Sequence, residues 1–235
     1  MIYAFIPARG GSSRLKDKNY LEFKGKVLFE WSIAAAEHSK LIDKIIFSSD
    51  SEKYIKHTKK LNYKKEIIID KRSSINASSK NKIYDYLKTD FIQNNKYLSD
   101  EDHIVMLLPT QPFRSVSEID NVIKYGLELN QNIFTCREYD FPISFAFALS
   151  DNLIKNTAFE NSPLQTGNTR SQDQEKYFHP DGSVYFLSVK TLKQNLDSIY
   201  KKSTPFVSTA PFFIDINNNY DFENALKLNI DVISE

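Results

Sequence analysis

Apolar residues arrive along this chain in short blocks, and polar stretches with helical periodicity fill the gaps between them. Residues 2–6 form an apolar run that stops at Pro7, short enough for one buried strand. Residues 20–23 and 27–31 are short apolar runs around Lys24-Gly25-Lys26, which predicts a tight turn. Trp31, Ala34, Ala35 and His38 recur at helical spacing and predict a helix over 28–41. Residues 44–49 read as a second buried strand, and Ser51 can then cap a helix running to about residue 61. A third strand is expected at 66–69, followed by a polar loop over 70–79. The stretch 80–93 is amphipathic, with Ile83, Tyr84, Leu87 and Phe91 as its apolar stripe. A fourth strand at 103–108 breaks at Pro109-Thr110-Gln111-Pro112, a helix follows from about Ser117 to residue 129, and 132–136 reads as a fifth strand.

Strand and helix in such strict alternation predict an α/β protein, with a mostly parallel sheet covered by helices on both faces. Ligands of such sheets bind beyond the carboxyl ends of the strands, so the loops after Ile6, Phe47, Ile69 and Leu108 are expected to line one cleft. The rhythm changes after Arg137. Residues 143–149 read as a strand, but 151–176 is polar and irregular, too long for an ordinary loop unless it is functional or covered by a partner. Strand character returns at 183–188 and 212–216. A closing helix is expected over 220–233, with Phe222, Ala225, Leu226 and Ile230 on one side.

Composition narrows the function classes. The 235 residues are 41% hydrophobic and 13% aromatic, enough for one large domain with a proper core. The 31 basic and 30 acidic residues leave a net charge of +1, so no overall field recruits nucleic acid or an anionic membrane. Cys136 is the single cysteine, which excludes an internal disulfide framework. No apolar run approaches the roughly 20 residues of a membrane span. The opening apolar run lacks a basic leader and a cleavage site, so it reads as a first strand, and the expected compartment is the cytoplasm. His38, His57 and His103 are scattered without ligand spacing and read as structural.

Against this balanced background, any anionic ligand needs local positive groups. Arg9, Gly10, Gly11 and Arg14 follow the first strand. Glycine backbone can approach a ligand closely, and arginines suit phosphate oxygens, although a plain turn with solvated arginines would look the same. In Pro109-Thr110-Gln111-Pro112-Phe113-Arg114, two prolines stiffen a loop whose polar residues could read a ligand or merely connect strand to helix. Asp215 and Asn217 are two apart in an alternating stretch and project to one side. That pair suits a hard cation such as Mg²⁺, or the polar face of an edge strand. Ser78 and Ser79 precede a helix and read as caps or as base-reading groups.

Several ordered motifs together resemble the acylneuraminate cytidylyltransferases, a group that includes enzymes for bacterial pseudaminic and legionaminic acids. They are Ile6-Pro7-Ala8-Arg9-Gly10-Gly11-Ser12, Lys18-Asn19, Leu108 to Arg114, Arg170-Ser171-Gln172-Asp173, His179 to Tyr185, and Phe213 to Phe222. The resemblance implies a single Rossmann-like nucleotidyltransferase domain over 1–235, with 138–178 inserted as a dimerisation or lid segment, and a homodimer whose subunits complete each other's sites. It implies transfer of CMP from CTP to a nine-carbon 2-keto sugar acid, with Mg²⁺ as cofactor and no nucleic-acid or membrane partner. Ala8, Arg9, Gly10, Gly11, Ser12 and Asn19 would then meet the nucleotide, Ala77 and Ser79 would read cytosine, and Gln111, Asp181 and Tyr185 would face the sugar. Asp215, with Asn217, would hold the metal, and Arg9 and Asp215 would carry the catalysis. Arg72 would be the loop arginine near the base, and Arg114 would be structural or substrate-orienting.

Four positions depart from the family pattern. The family usually has lysine at Ser13, glutamine at Leu108, asparagine at Asp181 and a second metal-binding aspartate at Asn217. An amide at 217 keeps an oxygen but removes a full charge beside the metal. These changes leave open an altered sugar specificity, a different handling of metal, or a nucleotide-binding homologue without catalysis.

Overall fold

Strand side chains point alternately to two faces, and here both faces are buried, which is why the strands read as near-continuous apolar runs. The computed structural model describes residues 1–12, 14–77 and 81–234. Its main strands are β1 (Ile2–Pro7), β2 (Lys44–Ser49), β3 (Ile67–Lys71), β4 (His103–Met106), β5 (Asn132–Glu138), β6 (Phe178–Ser188) and β7 (Ser203–Val207). They form a 7-stranded sheet in the order β7-β5-β6-β4-β1-β2-β3. β1 runs parallel to β2 and β4, and β2 runs parallel to β3. β6 lies antiparallel to β4, with Tyr185 opposite Met106.

The longer helices are α1 (Leu28–His38), α2 (Glu52–Thr58), α3 (Val116–Leu129) and α4 (Asn219–Lys227). On one face of the sheet Ala4, Ile6, Ile45, Phe47 and Val105 pack with Phe29 of α1 and with Ile119 and Val122 of α3. On the other, Tyr3, Phe5, Ile46, Ile104 and Met106 meet Tyr84, Leu87 and Phe91. Phe5 is fully enclosed and meets Phe91 edge-on at 5.0 Å between ring centroids. Side chains of this size stabilise the fold by roughly 1.5–3 kcal/mol each when fully buried. Gly126 lets α3 approach closely, because a Cβ there would lie 2.2 Å from Cδ1 of Phe186 on β6.

A third cluster fixes the carboxyl-terminal segment. Phe23, Leu28, Phe113, Ile216, Phe222, Ala225 and Val232 pack together, so residues from both ends of the chain share one small core. α4 starts with a capping box: Asn218 accepts from the Asp221 backbone while Asp221 accepts from the Asn218 backbone.

The chain divides into two compact units, one of residues 1–135 and 181–235 and the other of residues 136–180. The second unit contains a hairpin of Phe147–Ser150 and Leu153–Thr157. Its turn residues Asp151 and Asn152 both have positive φ, at 50° and 64°, as the favoured two-residue hairpin turns require. Leu149, Leu153 and Ile154 on this hairpin are exposed.

Several expected elements differ. The strand expected at 143–149 is a single 3₁₀ turn, Ile143–Phe145, followed by the first hairpin strand, and the segment 151–176 holds the second strand rather than being irregular throughout. Residues 212–216 form no strand; Ile216 N donates to Thr110 O at 2.9 Å. The closing helix stops at Lys227, because the chain turns extended at Leu228 and then seats Val232 in the third cluster. Ile233–Ser234 pairs with Arg114–Ser115. α1 ends at His38 instead of residue 41, and the helical stretch near 80–93 contains a π turn, Leu87–Phe91. Among the described residues, no helix is long and apolar enough to cross a membrane.

Candidate functional site

β1 ends at Pro7, and the chain then enters the loop that carries Arg9 and Gly10. Gly10 and Gly11 are both outside the positive-φ region, so neither serves a left-handed turn. Gly10 is required by proximity instead: a Cβ there would lie 3.0 Å from Cβ of Ser51, and its N–H donates to Asp50 Oδ1 at 2.8 Å. A Cβ at Gly11 would meet nothing within 4 Å among the described residues. Ala8 is fully buried, so what it can offer is backbone, and its N–H is spent on Ser48 O at 2.9 Å. Arg9 lines a cleft of about 320 Å³, and Ser12, Arg14, Lys18, Asn19 and Ala77 line it too. Among the described residues, the Arg9 guanidinium forms no hydrogen bond or ion pair. Ser13 and Ser79 lie outside the described residues.

Asn19 is buried and donates from Nδ2 to Arg9 O at 3.1 Å, which holds the loop. Its Oδ1 is buried without a partner. An acceptor left open at a cleft is costly unless a ligand donor meets it. Arg72 is also buried, donating from Nη2 to Ser48 O at 3.2 Å and lying 5.7 Å over the Tyr86 ring, while its Nε has no partner. Burial lowers the Arg72 pKa, with Asp50 and Asp70 opposing.

Asn217 reaches this same cleft from the far end of the chain, with Asp215 hydrogen-bonded behind it. Ile216 is fully buried in the third cluster, so its neighbours Asp215 and Asn217 turn the other way. Asn217 N donates to Asp221 Oδ2 at 2.8 Å, which ties it to the cap of α4. Asn217 Nδ2 donates to Asp215 Oδ2 at 2.5 Å, and Asn217 Oδ1 accepts from Arg14 Nη2 at 2.8 Å. Lys18 donates from Nζ to Ile216 O at 2.6 Å. Burial pushes the Lys18 ammonium down to about 8; Asp215 opposes this, while Arg14 and Arg9 add to it. Three cations, Arg9, Arg14 and Lys18, thus stand near two carboxylates, Asp215 and Asp221. A cleft with that balance favours a polyanion.

The structure does not bring every expected residue to this cleft. Gln111, Asp181 and Tyr185 are buried and do not line it. Asp181 Oδ1 accepts from Ser183 N at 2.9 Å and from Thr135 Oγ1. Burial, then a hydrogen bond with Tyr200, raise the Tyr185 pKa. Arg114 is fully enclosed and joins three segments, donating to Ser183 O at 2.9 Å, to Ser32 Oγ at 2.8 Å and to Leu108 O. Burial lowers its pKa to about 9, with Asp181 and Glu118 opposing. Its place is structural. The motifs of the sequence assign Lys18 no role although it sits beside Asn19, and Arg14 enters there only as an arginine suited to phosphate oxygens.

The sequence pattern of the cytidylyltransferase family matches residues 3–229. Pseudaminic acid cytidylyltransferase of Campylobacter jejuni subsp. jejuni serotype O:23/36 is 34% identical over 227 residues, covering 94% of this chain and 92% of that protein. N-acylneuraminate cytidylyltransferase of Escherichia coli O18:K1:H7 is 25% identical over 229 residues, covering 97% of this chain and 52% of that protein. Among solved structures, CMP:2-keto-3-deoxy-manno-octonic acid synthetase complexed with CTP superposes with a TM-score of 0.65 at 14% identity, covering 96% of each chain. A 4-diphosphocytidyl-2C-methyl-D-erythritol synthase superposes at 0.68 with 10% identity and the same coverage. At those identities the likeness shows the fold. The relatives quoted are named as enzymes, which gives no support to the reading without catalysis.

Proposed function

The chain belongs to the cytidylyltransferase family, and on that footing we propose that it activates a nonulosonic acid with CTP, giving the CMP-sugar and pyrophosphate. The observation that supports this reading is the convergence of Arg9, Arg14, Lys18 and Asn217 on one cleft, with Asp215 hydrogen-bonded to Asn217. The anomeric hydroxyl oxygen of the sugar acid attacks the α-phosphorus of CTP. The new P–O bond forms as the bond to the bridging oxygen of the β-phosphate breaks, the hydroxyl proton is lost, and pyrophosphate carries the charge away. Such a reaction is accelerated chiefly by positioning and charge neutralisation.

In this scheme Arg9 and Lys18 hold the triphosphate, and Asn19 fixes the loop that presents Arg9. Ala77 and Arg72 border the base, and Ser79 of the same segment reads cytosine. Gln111, Asp181 and Tyr185 shape the sugar end from beneath its surface. Asp215 suits Mg²⁺ as a single carboxylate ligand, since this ion is commonly held by one or two carboxylates together with substrate phosphates. Asn217 spends its amide oxygen on Arg14 and offers Asp215 only a donor. When bound, Mg²⁺ supplies charge neutralisation at the phosphates.

The exposed Leu149, Leu153 and Ile154 of the 136–180 unit support a homodimer, to be checked by sedimentation velocity. The reaction belongs to the cytoplasm, where CTP is available. Incubation with CTP, Mg²⁺ and a panel of nonulosonic acids tests the function. Pyrophosphate release with at least one of them is the expected result, and silence across the panel contradicts it.

A further inference from the structure

An arginine only donates hydrogen bonds and an ionised carboxylate only accepts them, so the amide of Asn217 has one workable orientation between Arg14 and Asp215. Its oxygen faces Arg14 Nη2 at 2.8 Å, and its nitrogen faces Asp215 Oδ2 at 2.5 Å. The amide is itself pinned, because Asn217 N donates to Asp221 Oδ2 and Asp221 is locked in the capping box of α4. Arg14 is otherwise an exposed side chain on a loop, and this contact gives its guanidinium a fixed place at the cleft. A carboxylate at 217 would bind Arg14 equally well but would also stand against Asp215, a repulsion that a divalent cation between them would relieve. With the amide, the pair of positions 215 and 217 carries one negative charge instead of two.

We propose that Arg14, aimed by Asn217, binds the triphosphate and supplies the charge that a second divalent cation would otherwise supply, so that the nucleotide complex holds one divalent cation per chain. This rests on the nucleotidyl-transfer reading above. Arg14 and Asn217 are therefore a matched pair: the amide keeps the guanidinium directed at the cleft without attracting a further metal ion. Lys18 and Arg9 lie close enough to feel the same charges and complete a cationic set around Asp215.

The test uses the full chain with CTP and no sugar acid, so that no turnover occurs. Mn²⁺ bound to the protein–CTP complex is counted by electron paramagnetic resonance, and CTP affinity is measured by titration calorimetry. One Mn²⁺ per chain is expected for the native protein and two for Asn217→Asp. Arg14→Gln is expected to weaken CTP by roughly tenfold or more, the scale of a lost charge-assisted hydrogen bond. Arg14→Lys should recover part of that loss. Arg14 is exposed, so its replacement leaves the core intact, and an unchanged far-ultraviolet spectrum confirms folding for each variant. Two Mn²⁺ in the native complex, or CTP affinity indifferent to Arg14→Gln, would overturn this proposal while leaving the function in place. A folded native protein that binds no CTP would overturn both.

Discussion

Lys18 Nζ donates to the backbone carbonyl of Ile216 at 2.6 Å, joining positions separated by 198 in sequence. That bond brings a buried ammonium beside Asp215 and within reach of the repulsion from Arg9 and Arg14. The opening loop and the stretch around Asp215 are thereby held side by side.

The first prediction concerns pH. With the Lys18 ammonium held at about 8, the free protein loses this charge as pH rises through that value. A bound triphosphate favours the charged form, so binding above pH 8 must take up a proton. CTP affinity is therefore expected to fall above pH 8 by up to about tenfold per unit. Calorimetry in buffers of different ionisation heat reads both the slope and the proton, and Lys18→Met should flatten them. The folding sign is the reverse of a salt-bridged lysine. The cost of keeping Lys18 charged is present below pH 8 and is relieved as pH rises from there towards the ordinary value of 10.5.

Arg114 should matter to folding more than to chemistry. Its guanidinium is enclosed and satisfies two backbone carbonyls and the Ser32 hydroxyl. Arg114→Met leaves those acceptors buried and unpaired, at a cost of about 3–5 kcal/mol. Urea unfolding is the check, and a variant as stable as the native protein would count against the structural role.

Gly126→Ala would drive a methyl group into the Phe186 ring, where only 2.2 Å separates the added Cβ from Cδ1. A loss of about 1–3 kcal/mol is expected from such overpacking. The double variant with Phe186→Leu should recover part of it, because the two sites share one contact.

Leu108 lines the cleft with an apolar side chain where the resembling family usually carries glutamine. A partly buried apolar wall offers a sugar hydroxyl no hydrogen bond. Leu108→Gln should shift the kcat/KM ratio towards the more hydroxylated of two sugar acids by roughly 10–100-fold. Equal ratios in native and variant protein would remove Leu108 from specificity.

Much of this was legible in the sequence, for local reasons. β1, β2 and β4 are buried on both faces, so their apolar runs announce them whatever surrounds them. The shared direction of Asp215 and Asn217 follows from their spacing around the apolar Ile216, and it holds although that stretch joins no sheet. β7 was missed because it is only partly buried and contains Pro205, both of which weaken the strand signal. The hairpin around Asp151 and Asn152 was missed because its side chains are exposed and show no alternation. The importance of Lys18 could not be read at all: its burial and its partner at Ile216 are set by the third cluster, which only the fold assembles. The sequence points to a close approach at the opening glycines, and the fold shows one at Gly10, toward Ser51.

The most direct measurement of the central claim is pyrophosphate release from CTP with a nonulosonic acid and Mg²⁺, comparing native protein with Asp215→Asn. Turnover is expected in the native protein and a loss of roughly a hundredfold or more in the variant, with the fold retained. Native protein that releases no pyrophosphate, or a variant that matches it, would contradict the claim that Asp215 and the opening loop work on the same anion.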